Sequence, residues 1–118
     1  MAKAAHVVGT STSNGFGLPL STGALTLLHQ ADQQAGTFDL ITIWVTNTDP
    51  STTYSCSIFW GADTDPDCKF PMTIPPGVGP CCIVPGWPLE RGYTVKAQAS
   101  VAGKLNVITL VSPISSYT

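Results

Sequence analysis

The clearest indication of the fold class comes from residues 93 to 111. This stretch reads Tyr93-Thr-Val-Lys-Ala-Gln-Ala-Ser-Val101, then the turn Ala102-Gly103-Lys104, then Leu105-Asn-Val-Ile-Thr-Leu-Val111. On both sides of the glycine turn, apolar and polar residues alternate with a period of two, which is typical of half-buried antiparallel strands. The stretch therefore predicts two strands joined by a short turn.

The same pattern extends toward the N-terminus. It predicts strands over residues 24–29, 37–47, 54–60, 69–74 and 81–84, each bounded by polar, glycine or proline turns. In strand 37–47, one face carries Ile41, Ile43 and Val45, and the other carries Phe38, Leu40, Thr42 and Trp44. Two partly apolar faces indicate a central strand, or a strand whose outer face meets a partner.

These elements define one small all-β protein. A chain of 118 residues is expected to form a single domain. Seven to eight short strands separated by such turns predict an antiparallel β-sandwich, jelly-roll-like, over residues 23–118. Residues 1–22 are rich in Gly, Ser and Thr and are predicted to form an extended N-terminal arm, either mobile or ordered on a neighbour. Within it, residues 6–8 could form a short strand.

Composition limits the partners. Charged residues make up 10% of the chain and the net charge is -2, with five scattered Lys and Arg, so no basic face for nucleic acid is expected. So few charges indicate either a surface covered by partners or a surface rich in Ser, Thr and Asn. No segment reaches the ~20 apolar residues of a membrane span, and the N-terminus does not resemble a secretory signal. We therefore expect neither export nor membrane contact.

The four cysteines do not predict a metal site. Cys56, Cys68, Cys81 and Cys82 lack the paired spacing of zinc ligands. They are expected to be reduced, or to form one bridge between Cys68 and either Cys81 or Cys82. The adjacent Cys81 and Cys82 should point to opposite faces of a strand.

Other candidate chemistry is sparse. Asp63, Asp65 and Asp67 could begin a calcium loop, but Cys68 and Ile74 stand where such a loop requires glycine and glutamate, so a solvated loop is expected. The two histidines, His6 and His29, are the available general bases, and no nucleophile elbow accompanies them. We therefore expect no enzymatic activity, no cofactor and no metal.

Two tryptophans can be assigned roles from their positions. Trp60 lies on the inward-alternating side of its strand and is predicted to join the core. Trp87 lies in Pro85-Gly86-Trp87-Pro88, which reads as a loop, so it could either cap the core or contact a partner.

Residues 37–112 resemble small β-sandwich structural proteins of tailed bacteriophages. The matching features, in order, are a strand ending in Trp44-Val-Thr-Asn-Thr-Asp49, the strand 54–60, the turn Ile74-Pro-Pro-Gly77, and Leu89-Glu-Arg-Gly92-Tyr-Thr-Val95-Lys-Ala97-Gln-Ala99 closing on Ala102-Gly103 and strand 105–111. The four cysteines and the proline-rich loops depart from that pattern.

The resemblance implies a virion protein without enzymatic activity, above all a capsid decoration or cement subunit, assembled in the host cytoplasm and bound to the major capsid protein or other virion proteins. It also implies a homo-oligomer, a trimer on a local three-fold axis. Deleting residues 1–20 should then abolish particle binding and leave the fold intact. The side chains expected at the interface are Phe16, Leu18, Leu20, Trp87 and Tyr93.

Three other functions are consistent with the sequence. One is a tail or fibre adaptor. Another is a carbohydrate- or receptor-binding β-sandwich that uses Trp87 and the loop Asp63 to Asp67, with or without calcium. The third is a small hydrolase, which a His29→Ala substitution would inactivate.

Overall fold

Nine strands form two antiparallel sheets. The computed structural model describes residues 6–8, 18–20, 25–31, 37–63 and 67–115, with the backbone alone for residues 6–8, 18–19 and 115. The strands are β1 (His6–Val8), β2 (Leu18–Pro19), β3 (Thr26–Gln30), β4 (Thr37–Asn47), β5 (Tyr54–Gly61), β6 (Lys69–Ile74), β7 (Cys81–Glu90), β8 (Thr94–Ala99) and β9 (Leu105–Ser115). Sheet A has the order β1-β9-β4-β7, with β2 also paired to β9, and sheet B has the order β3-β8-β5-β6. The described residues contain no helix, so none of them forms a helix able to span a membrane.

The predicted all-β antiparallel sandwich is confirmed, with seven strands after the arm. Among β3 to β9, only β5 and β6 are consecutive strands that pair within one sheet. Every other connection passes from one sheet to the other. The two strands of residues 93–111 are both present, but β8 belongs to sheet B and β9 to sheet A, so the turn at Gly103 joins the sheets.

The core lies between the sheets and follows the alternation of β4. Ile41, Ile43 and Val45 are fully buried, and β4 lies between β9 and β7, so the prediction of a central strand is confirmed. Full burial of such a side chain stabilises the fold by about 1.5–3 kcal/mol. The other members of the core cluster are Leu20, Leu28, Ala31, Cys56, Ile58, Ile74, Val84, Leu89, Val95, Ala97, Ala99, Leu105, Val107 and Val111.

Strand β7 is longer than its sequence suggested. Pro85 to Pro88, expected to form a loop, lies within this strand and pairs with β4, so the loop prediction is wrong. The pairing register with β4 shifts twice, between Ile41 and Thr42 and between Ile43 and Trp44. Gly86 lies at the first shift with a positive φ of 89°, a conformation that favours glycine. Bulges of this kind let proline enter an edge strand.

The described parts of the predicted arm belong to the sandwich. Backbone pairs join β1 to β9 from His6–Val111 to Val8–Thr109, and β2 to β9 at Leu18–Val107 and Pro19–Asn106. The backbone N–H of Leu20 donates to Leu105 O at 2.9 Å, and the Leu20 side chain is buried in the core. This placement corrects the expectation that Leu20 contacts a neighbouring subunit, because its side chain has no surface to offer.

Candidate binding surfaces

A histidine and a carboxylate connect the two sheets at one end of the core. His29 Nε2 on β3 donates to Asp39 Oδ2 on β4 at 2.6 Å, and the two side chains are 17% and 6% exposed. The register of β3 shifts between Leu27 and His29, so His29 pairs with the core-facing Val95 and turns inward. This contact, which we call the inter-sheet latch, gives the buried carboxylate the partner that burial demands.

A second polar cluster closes the other end of β4. Asn47 Nδ2 donates to Thr52 O at 2.8 Å and to Ile74 O at 3.0 Å, while Asn47 Oδ1 accepts from the backbone N–H of Asp49. Asp49 in turn accepts two backbone N–H groups, from Ser51 and Thr52, each at 2.9 Å. The inward face of β4 thus carries an apolar centre with a satisfied polar group near each end.

The environment of Asp49 favours its ionised form. The backbone N–H of Ser51, followed by that of Thr52, lowers the pKa of Asp49 below its ordinary value, and the Tyr54 hydroxyl and Lys104 add to this effect. Tyr54 donates to Asp49 Oδ2 at 3.2 Å. Hydrogen bonds to a carboxylate stabilise its charged state. The ionised Asp49 therefore stabilises the turn of residues 49–52, and we call this group of contacts the hub at Asp49.

Three aromatic side chains fill the gap between the sheets at the β6 and β7 edge. The ring centroids of Trp60 and Trp87, and those of Phe70 and Trp87, are each 5.4 Å apart in edge-to-face geometry. Trp60 and Trp87 are half-buried and pack against the core, whereas Phe70 is 40% exposed. We call this group the aromatic edge. Edge-to-face pairs stabilise by about 0.5–1.5 kcal/mol beyond area burial.

The outer face of sheet A is largely apolar, although Thr42, Thr46, Asn106 and Ser112 also lie on it. Because the odd-numbered residues of β4 point into the core, the even-numbered ones point outward, and the register aligns them with outward residues of β9. Trp44 pairs with Ile108, Thr42 with Leu110, and Phe38 with Ile114. On the β7 side, Pro85, Pro88 and Cys82 continue this surface, and Glu90 opposite Phe38 is its one charged residue among those described. We call this surface the outer A face.

The outer face of sheet B is different in character. Strands β5, β6 and β8 present mainly polar side chains there, including Ser57, Thr73 and Gln98. Lys96 Nζ contacts Asp63 Oδ2 at 2.8 Å, and Lys96 lies opposite Phe59, which is only 5% exposed. A polar outer face is the usual pattern for an antiparallel sheet in water, which makes the apolar outer A face the exception.

The cysteines are all free thiols. Cys81 pairs with Val45 and packs against the core, whereas Cys82 pairs with the outward Trp44 and is exposed, so their predicted opposite orientation is confirmed. Burial raises the pKa of Cys56 to about 11. A thiol with a raised pKa stays protonated at neutral pH and is a poor nucleophile.

The structure places the expected interface residues in different settings. Phe16 lies outside the described residues, and Leu18 pairs through its backbone with Val107. Trp87 is half-buried in the aromatic edge and Tyr93 is 52% exposed. Of the three whose side chains are described, Leu20 is buried, Trp87 is half-buried and only Tyr93 is exposed.

In the loop Asp63 to Asp67, which could begin a calcium site, the described contact is an ion pair. Asp63 pairs with Lys96, and Asp67 is exposed, while Asp65 lies outside the described residues. Among residues 6–8, 18–20, 25–31, 37–63 and 67–115, no group of three or more His, Cys, Asp or Glu is arranged to hold a metal ion.

Sequence reasoning did not single out Asp39 or Phe70. Asp39 has the same parity as Ile41, Ile43 and Val45, so a charged residue on the predicted inner face was the available signal. Phe70 gave no comparable signal, because its ring contact with Trp87 depends on how the two sheets stack.

Comparisons with known proteins add no relatives. No protein-family model matches the chain, and searches of curated proteins and of solved structures found no match either.

Proposed function

We propose that this chain is a non-enzymatic structural subunit of a tailed-phage particle, above all a capsid decoration or cement protein that stabilises the shell. The observation that carries the proposal is the display of large apolar side chains on a protein with few charges. Those exposed by more than a third are Leu27, Phe70, Val78, Tyr93 and Ile114. These residues lie on separate elements, so the proposal takes them as separate candidate contact points and not as one contiguous patch.

In this proposal the protein stabilises the shell by binding to it and catalyses no reaction. Each subunit would bury apolar surface against the major capsid protein or another virion protein, and many weak contacts on one shell would act together as avidity. Because the subunit binds the assembled shell in preference to its dissociated parts, shell stability rises by mass action. The chain acts as a homo-oligomer in this proposal.

Binding to purified capsids of the encoding phage tests the proposal. We expect the full chain to co-sediment with capsids and to raise the temperature at which they release their DNA. Tyr93→Ala should weaken binding, whereas Thr73→Ala, an exposed substitution on the outer face of sheet B, should not. Failure to bind capsids would reject the decoration role, and binding to isolated tails or fibres instead would assign the adaptor role.

A second candidate, a carbohydrate- or receptor-binding module, is favoured by the aromatic edge. The exposed part of Phe70 and the half-buried Trp87 offer ring surface on which a sugar could stack. Binding of the free protein to a glycan array, lost on Phe70→Ala, would favour this function. An array without signal, with and without calcium, would reject it.

A further inference from the structure

The outer A face carries large apolar side chains, with Thr42, Thr46, Asn106 and Ser112 as its uncharged polar residues on β4 and β9. Its two central strands are β4 and β9. Their outward residues, from Phe38 to Thr46 on β4 and from Asn106 to Ile114 on β9, carry no charge. The buried side chains on the core-facing side of the same strands are apolar apart from Asp39, Asn47 and Thr109, so both faces of sheet A are largely apolar. An antiparallel sheet with one face in water normally carries polar residues on that face, as sheet B does here.

Three of the four sheet edges are less suited to self-association than this face. Strand β7, one edge of sheet A, contains Pro85 and Pro88, and strand β6, one edge of sheet B, contains Pro71. Proline removes backbone donors and blocks the addition of another strand. Strand β3, the other edge of sheet B, has five residues and a shift in its pairing register.

We propose that the outer A face packs against the same face of a second copy of this chain, forming a two-fold symmetric dimer. Among the described residues, the face has one charge, Glu90, at one end, so it offers nothing that selects a charged partner. Its uncharged centre can pack against a second copy without burying a charge, which suits a two-fold interface. The dimer would be a stack of four sheets with the two outer A faces about 10 Å apart.

The size of the face fits a stable dimer. Strand β4 has 11 residues, and at a rise of about 3.4 Å per residue it is about 37 Å long. Three strands spaced about 4.8 Å apart give a width of about 14 Å, and β1 with β2 extends it to about 19 Å. Each copy would therefore contribute about 500–700 Å², and the pair about 1,000–1,400 Å², which reaches the standard range for specific interfaces.

The two-fold arrangement also specifies which side chains meet. If the strands run antiparallel across the interface, the axis passes near Thr42, the middle residue of β4. Leu40 of one copy then faces Trp44 of the other. Glu90 lies at the Phe38 end of its own copy and faces the Thr46 end of the other copy, so the two Glu90 side chains lie far apart. Trp44 is the side chain expected to contribute most, since large aromatic residues near the centre dominate such interfaces.

The experiment is the mass of the full chain in solution by light scattering and sedimentation at micromolar concentration. We expect about 24.6 kDa, twice the 12.3 kDa of one chain. Trp44→Lys should raise the dimer dissociation constant at least about 30-fold, as expected for loss of a central anchor. Thr42→Lys removes no large apolar side chain and should act in the same direction, because the two introduced ammonium groups would meet near the axis.

Gln98→Lys, on the polar outer face of sheet B, is the matched control and should leave the dimer intact. Circular dichroism of each variant checks that the fold is retained. A wild-type monomer would overturn the proposal and assign the face to an undescribed segment of the chain or to a different partner. A trimer, or a dimer unchanged by both face variants, would overturn it as well.

This inference does not rest on the proposed function, because the measurement contains no capsids. A monomer that binds capsids would overturn the dimer alone, and a dimer that ignores capsids would overturn the decoration role alone.

Discussion

His29 Nε2 lies 2.6 Å from Asp39 Oδ2, and this contact ties strand β3 of sheet B to strand β4 of sheet A. The carboxylate is almost fully buried on the same face of β4 as Ile41 and Ile43. A charge placed there without a partner would oppose folding, so the latch makes the inward position of Asp39 tolerable.

Removing the histidine of the latch should destabilise the protein. His29→Ala leaves the Asp39 carboxylate buried without this donor, and we expect a loss of about 2–3 kcal/mol in the free energy of unfolding, measured by urea denaturation. Asp39→Asn keeps a side chain that can pair with His29 and should lose less. The neighbouring Gln30→Ala, at an exposed position, is the control and should change stability by under about 0.5 kcal/mol. Equal losses for His29→Ala and Gln30→Ala would contradict the structural role of the latch.

The hub at Asp49 predicts a dependence of stability on acid pH. Its pKa is lowered from the ordinary 3.8 by the N–H groups of Ser51 and Thr52. A lowered folded-state pKa means that this contribution is complete above the unfolded pKa and is lost as pH falls through the folded value. Asp49→Asn should therefore melt below the wild type at pH 7, and the gap should narrow as pH falls below about 4. A gap of constant size in thermal melts from neutral to acid pH would argue against this account.

The cysteines should differ in reactivity according to burial. With iodoacetamide at neutral pH, mass spectrometry should show rapid modification of the exposed Cys82, slower modification of Cys68 and Cys81, and none of Cys56 until the protein unfolds. Because the folded-state pKa of Cys56 is raised from 9.0 to about 11, its contribution to stability is present below pH 9 and is lost as pH rises through 11. Cys56→Ala is the control that should remove this alkaline loss. Early modification of Cys56 in the folded protein would contradict its burial.

Substitutions of Trp87 and Tyr93 should have different effects, because Trp87 packs inside the fold and Tyr93 is expected to contact a partner. Trp87→Ala removes the ring that both Trp60 and Phe70 contact and should lower the free energy of unfolding by about 2–4 kcal/mol. Tyr93→Ala, at an exposed side chain, should change it by under about 0.5 kcal/mol while weakening capsid binding. Trp87→Phe keeps an aromatic ring and should recover part of the loss. A stable Trp87→Ala variant would instead indicate that Trp87 is a surface contact alone.

Deleting residues 1–20 is not a suitable test of whether the N-terminal arm binds the particle. Removing residues 1–20 would also remove β1, β2 and the buried Leu20, and Leu20→Ala alone should lose about 2–5 kcal/mol. Replacing residues 9–17 by a Gly-Ser linker of equal length keeps those strands and removes Phe16. If the arm contacts the particle, this variant should melt like the wild type yet fail to co-sediment with capsids. Full binding by the linker variant would reject a role for the arm.

Local patterns predicted the strands well because they depend on near neighbours. The alternation of residues 37–47 placed Ile41, Ile43 and Val45 on the inner face, where all three are fully buried. The same alternation identified the apolar outer side that forms the outer A face. The prolines of β7 predicted a loop where the structure has a strand, because proline is permitted at an edge or bulge and the sequence does not say which strands are edges.

Residue alternation alone is enough to predict an antiparallel β-sandwich, since a period of two between turns requires each strand to bury one face. The pairing of the strands follows from the three-dimensional fold, because a short turn such as that at Gly103 can either fold back within a sheet or cross to the opposite one. The same fold also brings His29 to Asp39 and Phe70 to Trp87. These contacts depend on a shifted register and on how two sheets stack, and the spacing of residues along one strand predicts neither.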